Sequence, residues 1–272
     1  MASDKKIVLI TGGNTGLGLE TVRALYKTDV PYEIIIGCRT LSKGDDAIAT
    51  VQKEIPSSPS SLSTLQVDLN SDESLEKAVE TLQSRHGRLD VLLNNGGGTF
   101  DGDVRTGTKT LREAWNATWD TNVSGTYVLT TLAVPLLLKS EDPRLLFIAS
   151  GTANLTDTTK MTDPVHARLN GSPEAGWPKN EGFVFPAYRS AKTGLNMMMR
   201  EWARVLRNDG VKVWCVSPGF LATGLAGVGA EKLKQMGALD PAIGGQLVAD
   251  VVEGKRDADN GKVVRSNGVQ PW

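Results

Sequence analysis

Tyr188 and Lys192 stand four residues apart in Tyr-Arg-Ser-Ala-Lys, so on a helix they share one face. Of the four tyrosines only this one has lysine at that offset. A free phenol has a pKa of about 10 and is poorly matched to neutral pH, but a neighbouring ammonium favours phenolate and brings it closer. Such a pair suits delivery of a proton to an oxygen, or its removal. The same spacing arises with an exposed aromatic beside a solvated lysine, so the surroundings decide. Two other polar residues are noted here only by place, since a serine at a strand end is by itself an ordinary feature. Ser150 closes the apolar run Leu145 to Ala149, and Asn122 lies inside a long helical stretch, where asparagine is intrinsically unfavourable.

The second chemical feature is Thr11-Gly12-Gly13-Asn14-Thr15-Gly16-Leu17-Gly18, directly after the run Ile7 to Ile10 and directly before a helical pattern. A dinucleotide's pyrophosphate needs a tight strand-to-helix turn without Cβ atoms, backbone amides at a helix N-terminus, and a helix packed close to the sheet. Gly12, Gly16 and Gly18 meet those three needs. After the second apolar run come Gly37-Cys38-Arg39 and Lys43, with no acid before Asp45. A carboxylate there would accept hydrogen bonds from the ribose hydroxyls of NAD. A guanidinium instead grips a phosphate with a forked geometry, and a lysine adds a point charge. Arg39 and Lys43 therefore point to NADP(H).

These groups must be held by elements that alternate along the chain. Apolar runs at Ile7 to Ile10, Ile34 to Ile36, Leu65 to Val67, Val91 to Leu93, Leu145 to Ala149 and Val211 to Val216 show little polar alternation, as strands covered on both faces do. Between them Leu17 to Tyr26, Asp45 to Ile55, Leu75 to His86, Leu111 to Leu138 and Ala187 to Leu206 are long enough for helices, and Pro241 to Glu253 predicts a last one, capped by Asp240. The order implies a doubly wound α/β fold with a parallel sheet, a Rossmann fold in one domain spanning residues 1–272. On the helix after Phe185 the expected core stripe is Ala191, Leu195, Met198, Trp202 and Val205. Ser57 to Ser63 predicts a surface turn.

With these motifs in order, the chain resembles the short-chain dehydrogenase/reductase family, whose fingerprint at the first turn is Thr-Gly-x-x-x-Gly-x-Gly. Asp68-Leu69 stands where family members hold the adenine. Asn94-Asn95-Gly96-Gly97 corresponds to the family's Asn-Asn-Ala-Gly, with Gly96 replacing alanine. Pro218-Gly219-Phe220-Leu221-Ala222-Thr223 resembles Pro-Gly-x-x-x-Thr, which meets the nicotinamide carboxamide. The resemblance implies a cofactor site of Gly12, Asn14, Thr15, Gly16, Leu17, Gly18, Arg39, Lys43, Asp68, Leu69, Asn95, Gly96, Tyr188, Lys192, Pro218, Gly219, Leu221 and Thr223. It also implies a catalytic set of Asn122, Ser150, Tyr188 and Lys192, acting on a ketone or aldehyde or on the corresponding alcohol. Lys192 would hold the nicotinamide ribose and Asn122 a relay water. The pattern is closest in kind to NADP-dependent carbonyl reductases and retinol dehydrogenases.

Ser150 and Tyr188 are 38 residues apart, which implies an insertion at about 151–186. Monomeric carbonyl reductases carry one here that covers the face other members use for assembly, so a monomer or weak dimer is the expectation. Trp177, Phe183 and Phe185 would roof the substrate, and residues 220–236 would form a lid hinged at Gly224, Gly227 and Gly229.

Composition removes other classes. The 30 Lys+Arg against 31 Asp+Glu leave no basic excess for nucleic acid. Two Cys and two His, Cys38, Cys215, His86 and His166, show no zinc spacing, and the cysteines fit small buried hydrophobes in a reducing compartment. No segment is apolar for long enough to span a bilayer and no secretory signal is evident, which implies a cytoplasmic location. The strings of a serine hydrolase elbow or a phosphate-binding Gly-Lys-Ser/Thr loop are absent. The competing functions are an NADP sensor without turnover, and a reductase acting on an imine or coupled to cyclisation.

Overall fold

Strands form where apolar residues run unbroken, because both faces of each are covered. In chain order they are β1 (Lys6–Thr11), β2 (Tyr32–Cys38), β3 (Ser61–Gln66), β4 (Val91–Asn94), β5 (Arg144–Ile148), β6 (Lys212–Val216), β7 (Val263–Arg265) and β8 (Gly268–Gln270). The helices are α1 (Gly16–Tyr26), α2 (Leu41–Glu54), α3 (Asp72–His86), α4 (Asp101–Arg105), α5 (Leu111–Trp119), α6 (Gly125–Leu137), α7 (Pro164–Asn170), α8 (Pro186–Val205), α9 (Ala230–Gln235) and α10 (Pro241–Val252). The structure is a computed structural model and describes residues 5–177, 179 and 185–272.

The strands make one sheet in the order β3-β2-β1-β4-β5-β6-β7-β8, parallel except for the antiparallel β7–β8 hairpin. Side chains alternate between two cores. Leu9, Leu92, Phe147 and Cys215 face α3, α6 and α8, whereas Ile10, Leu93, Ile148 and Trp214 face α1, α2 and α10. Helices thus cover both faces, as a doubly wound α/β sheet requires. The chain reverses direction of winding between β1 and β4, and at such a switch the C-terminal strand ends open a crevice.

Several elements depart from the expected pattern. β3 begins at Ser61, inside the segment expected as a surface turn. The Ser63 hydroxyl donates to Glu33 at 3.0 Å, and Ser61 does so as well, so the polar side chains are used on an edge strand. The long helix expected over Leu111 to Leu138 is α5 and α6 joined by a π-helical turn at Asp120–Ser124. On α8 Ala187, Ala191, Leu195 and Met199 are buried and Met198 and Trp202 pack partly buried against the same core, so of the expected stripe only Val205, 52% exposed, falls outside it. Hairpin β7–β8, with three residues per strand, is too short to announce itself by periodicity.

At the opposite, N-terminal edge of the sheet a charged cluster ties β5 to β6 and to the segment after α10. The Arg144 side chain, 4% exposed, gives its forked guanidinium to Asp257 at 2.6 and 3.0 Å and its Nε to Asp142 at 2.9 Å. Lys212 bridges the same two carboxylates. The Asp142 carboxyl resists the upward push of its burial and sits well below the usual range because Arg144 and Lys212 donate to it. Removing Arg144 leaves the two partly exposed carboxylates to share Lys212 alone and loses the charge-assisted hydrogen bonds of the guanidinium. Arg144→Ala is expected to lower stability by about 2 kcal/mol in urea unfolding at pH 7. The depressed carboxyls confer stability above their ordinary pKa of about 4 and lose it on acidification, so the gap between variant and parent should narrow as the pH falls below that value.

Candidate functional site

The C-terminal ends of β1, β4, β5 and β6 converge on one crevice. Gly12 and Gly16 adopt φ of +62° and +54°, the left-handed region that L side chains rarely take. At Gly18 the constraint is different. A Cβ there would lie 2.3 Å from the Gly12 carbonyl oxygen and 2.6 Å from Asn95 Nδ2. Only glycine lets α1 start this close to the turn. Asn95 Nδ2 donates to the carbonyls of Thr11, at 2.8 Å, and Gly12, at 3.2 Å. The Gly96 amide donates to Thr11 Oγ1 at 2.7 Å. A Cβ on Gly96 would meet Leu69 Cδ1 at 2.9 Å, so the glycine that replaces the family's alanine relieves a contact with this chain's own leucine.

Thr15 caps α1 with extended backbone but no side-chain hydrogen bond, and no acid sits in the first turn. The amides of that turn therefore remain open to an anion. Asn14 is partly exposed beside them, and Leu17 packs inward toward α10. Arg39, the first residue after β2, and Lys43, in the first turn of α2, are both exposed. Asp68 Oδ1 accepts from the Asn70 amide at 3.0 Å, and Leu69 is pressed against Gly125, where a Cβ would overlap the Leu69 carbonyl.

After β6, Gly219 turns the chain with φ of +96° past Pro218. Leu221 then pairs with Leu239, with Ala222 N donating to Leu239 O at 2.9 Å and Leu239 N to Phe220 O at 2.8 Å. The expected lid is therefore stitched at its base, and the loop proper spans 223–238, with φ of +65° at Gly227 and +90° at Gly229 but no left-handed bend at Gly224. Thr223 lies against Gly16, about 3.4 Å from where a Cβ would stand. The described part of the insertion closes on this loop: Arg168 of α7 donates to Met236 O at 3.2 Å and stacks 5.7 Å from the Phe220 ring. It leaves Leu111, Trp115, Trp119, Tyr127 and Met197 exposed on α5, α6 and α8. Trp177 is 87% exposed, Phe185 precedes α8, and Phe183 lies outside the described residues.

The four polar groups of the catalytic set that the resemblance implies come together. Ser150 Oγ lies 2.9 Å from the Thr152 hydroxyl, and it is near enough to the Tyr188 phenol to lower it. Burial pushes the Tyr188 phenol above its usual value and outweighs the lowering by Ser150. The expected lowering by Lys192 is not what this geometry produces. Lys192 Nζ, 5.9 Å from the Tyr188 ring centre, donates instead to the Ile148 carbonyl at 2.8 Å. Burial brings the Lys192 ammonium down to about 8. Asn122 sits in the π-helical turn, where an extra residue per turn frees backbone groups. Its Nδ2 donates to Gly98 O and Thr118 O, each at 2.7 Å, and its Oδ1 accepts from Gly98 N at 3.3 Å. Gly97 has no room for a Cβ, which would stand 2.6 Å from Asn122 Oδ1.

Some supports had no sequence signal. Gln270 of β8, 2% exposed, donates to the Ser150 carbonyl at 3.2 Å. Arg189 donates to Thr152 O at 3.0 Å and to Leu169 O at 3.2 Å. Asp101 accepts from the amides of Ala187 and Tyr188, both at 3.0 Å. Each pairs residues tens of positions apart, beyond what local pattern reports. Among the described residues no three His, Cys, Asp or Glu side chains cluster to hold a metal, and no helix is long and apolar enough to cross a membrane.

Sheet order and glycine turn define a doubly wound α/β protein with a Rossmann-like fold. A family model described as short chain dehydrogenase matches residues 6–160 and 172–233, breaking off across α7. The chain belongs to the short-chain dehydrogenase/reductase family. It is 46% identical over 271 residues to the short-chain dehydrogenase/reductase tropE of Talaromyces stipitatus, covering 99% of each chain. It is likewise 46% identical over 280 residues to eupG of a Phoma species, covering 100% of this chain and 99% of the relative. Among solved structures, an NADPH-bound carbonyl reductase from chicken fatty liver superposes with a TM-score of 0.76 at 20% identity, covering 98% of this chain and 99% of that one. The Pseudomonas aeruginosa RhlG/NADP active-site complex superposes at 0.74 with 18% identity, covering 96% and 94%.

The burial of Lys192 has a measurable consequence. A lysine whose folded pKa is about 8 and whose ordinary value is 10.5 weakens the folded state fully below pH 8. That penalty is relieved as the pH rises from 8 to 10.5. Relative to Lys192→Met, the parent protein without ligand is expected to gain about 3 kcal/mol across that interval, at about 1.4 kcal/mol per unit, in chemical unfolding followed by circular dichroism.

Proposed function

We propose that the chain is an NADPH-dependent carbonyl reductase, reducing a ketone or aldehyde or running the reverse oxidation. The observation that carries this reading is the grouping of Ser150, Tyr188 and Lys192 at the C-terminal end of β5: Ser150 is near enough to lower the Tyr188 phenol, and Lys192 Nζ stands 5.9 Å from the Tyr188 ring centre while donating to the Ile148 carbonyl. The crevice suits a dinucleotide: its floor is glycine where a Cβ would block approach, and its helix N-terminus is open. When bound, the reduced nicotinamide supplies a hydride to the carbonyl carbon.

The protein's part is the proton and the orientation. Ser150 would donate to the carbonyl oxygen and hold it against Tyr188. Tyr188 would give its hydroxyl proton to that oxygen as negative charge develops, and recover it in oxidation. A phenol held above its usual value stays protonated at neutral pH, which suits the acid role. Lys192, largely protonated below pH 8, would present an ammonium to the ribose and, through it, stabilise the phenolate left by transfer. Asn122 clamps Gly98 to the π-helical turn and so holds the strand end next to Lys192. Exposed Arg39 and Lys43 would receive the phosphate that distinguishes NADPH. The NADPH-bound and NADP-bound structural neighbours support that preference.

Loss of NADPH absorbance with a panel of aldehydes, ketones and quinones tests the reading. Tyr188→Phe should retain NADPH binding and lose turnover by about 10³-fold. Full activity in that variant would refute the role. Arg39→Ala should cut the preference for NADPH over NADH by roughly tenfold or more, since charge-assisted hydrogen bonds contribute about 1.5–3 kcal/mol.

A further inference from the structure

α8 carries the reacting phenol, yet its own first turn does not cap itself. Phe185, at the N-cap, offers no side-chain acceptor, and Pro186 has no amide to satisfy. Arg189 N reaches the Phe185 carbonyl at 3.0 Å, which leaves the amides of Ala187 and Tyr188 as the unpaired donors of the turn. Both are taken by one carboxylate from elsewhere in the chain: Asp101 Oδ1 accepts from Ala187 N and Oδ2 from Tyr188 N, each at 3.0 Å. Thr99 Oγ1 donates to Oδ2 at 3.2 Å and fixes the carboxylate's orientation.

The place of Asp101 in the chain gives this cap a meaning beyond helix stability. It opens α4, four residues after Gly97, in the loop that leaves β4. That loop is fixed at its start by Asn95 to the glycine turn and by Gly98 to Asn122, and Phe100 N donates to Thr118 at 3.3 Å. Asp101 thus fastens the backbone of Tyr188 to the same segment that lines the crevice. An anion also sits favourably at a helix N-terminus.

We infer that Asp101 is a positioning residue for the reaction: by capping α8 from the loop after β4, it sets the Tyr188 hydroxyl against Ser150 and the cofactor crevice. The inference rests on Tyr188 being the proton donor, as argued above. Both carboxylate oxygens of Asp101 are taken by Ala187 N, Tyr188 N and Thr99 Oγ1, so its loss should appear in turnover and not in cofactor affinity.

The test compares Asp101→Ala and Asp101→Asn with the parent enzyme, using NADPH and the best carbonyl found in the panel. Asp101→Ala is expected to lower kcat on the order of 50-fold, as small misplacements of a reacting group do, while the Kd for NADPH from fluorescence titration stays within about twofold. Asp101→Asn keeps the shape and one acceptor, and should recover part of the loss, to about fivefold below the parent. Hydrogen exchange of the peptide over residues 185–190 should quicken in Asp101→Ala with no change over α1. A kcat within twofold of the parent in Asp101→Ala, or NADPH affinity falling in step with kcat, overturns the inference. If Asp101→Ala does not fold, Asp101→Asn decides, and parental kcat there overturns it. A parent chain that turns over no carbonyl defeats the proposed function; the exchange of residues 185–190 then judges Asp101 alone, and unchanged exchange overturns it.

Discussion

The junction between the glycine turn and the end of β4 is the constraint on which the rest of the site depends. One side chain, Asn95, holds two carbonyls of the turn, and one hydroxyl, Thr11, receives the Gly96 amide. Because β1 and β4 are neighbours at the switch in winding, these bonds close the crevice floor across the two halves of the sheet. The absent Cβ at Gly18 lets α1 descend onto that floor. Gly244 and Gly245 repeat the device on α10, where Cβ atoms would meet Leu221 at 2.5 Å and the Glu20 backbone at 2.6 Å. The crevice is built by close approach of backbones, and large side chains are excluded wherever two segments must touch.

Polar chemistry is then added at two levels of burial. Tyr188 and Lys192 are desolvated in opposite senses, the phenol pushed up and the ammonium down, so that burial favours the neutral form of each and the two titrate further apart than in water. A buried ammonium whose hydrogen bond runs to a backbone carbonyl is an unfavourable element of the fold. Stability is given up at this position, a common feature of sites that bind and orient reactants. The charged cluster around Arg144, at the far edge of the sheet, is the opposite case, since every charge there has a partner.

How much of this was legible in the sequence depended on the range of the interaction. Apolar runs covered on both faces reveal strands, and helical spacing reveals the helices between them, so the order of β1 to β6 followed directly. Ser150, Tyr188 and Lys192 were legible because their motif sits at ordered places between those elements. The π-helical turn at Asn122 was not, because the flanking helices mask a shift of one residue in period. Edge strand β3 was missed in part because Ser61 and Ser63 are polar, their partner Glu33 being known only once β2 and β3 pair. The stitched base of the 223–238 loop was hidden for the same reason: Leu221 and Leu239 reveal nothing until the chain folds back.

Gln270 introduces an order of events. It comes late in the chain, yet it donates to the carbonyl of Ser150, while Trp272 receives the Thr156 amide and lies 5.7 Å beneath the Arg200 guanidinium. A ribosome releasing this polypeptide would expose the dinucleotide cradle and the tyrosine helix well before the final hairpin emerges. Until then the Ser150 carbonyl lacks its donor, and the end of β5 is held by its neighbour, through Ala149 N to Val216 O at 2.8 Å.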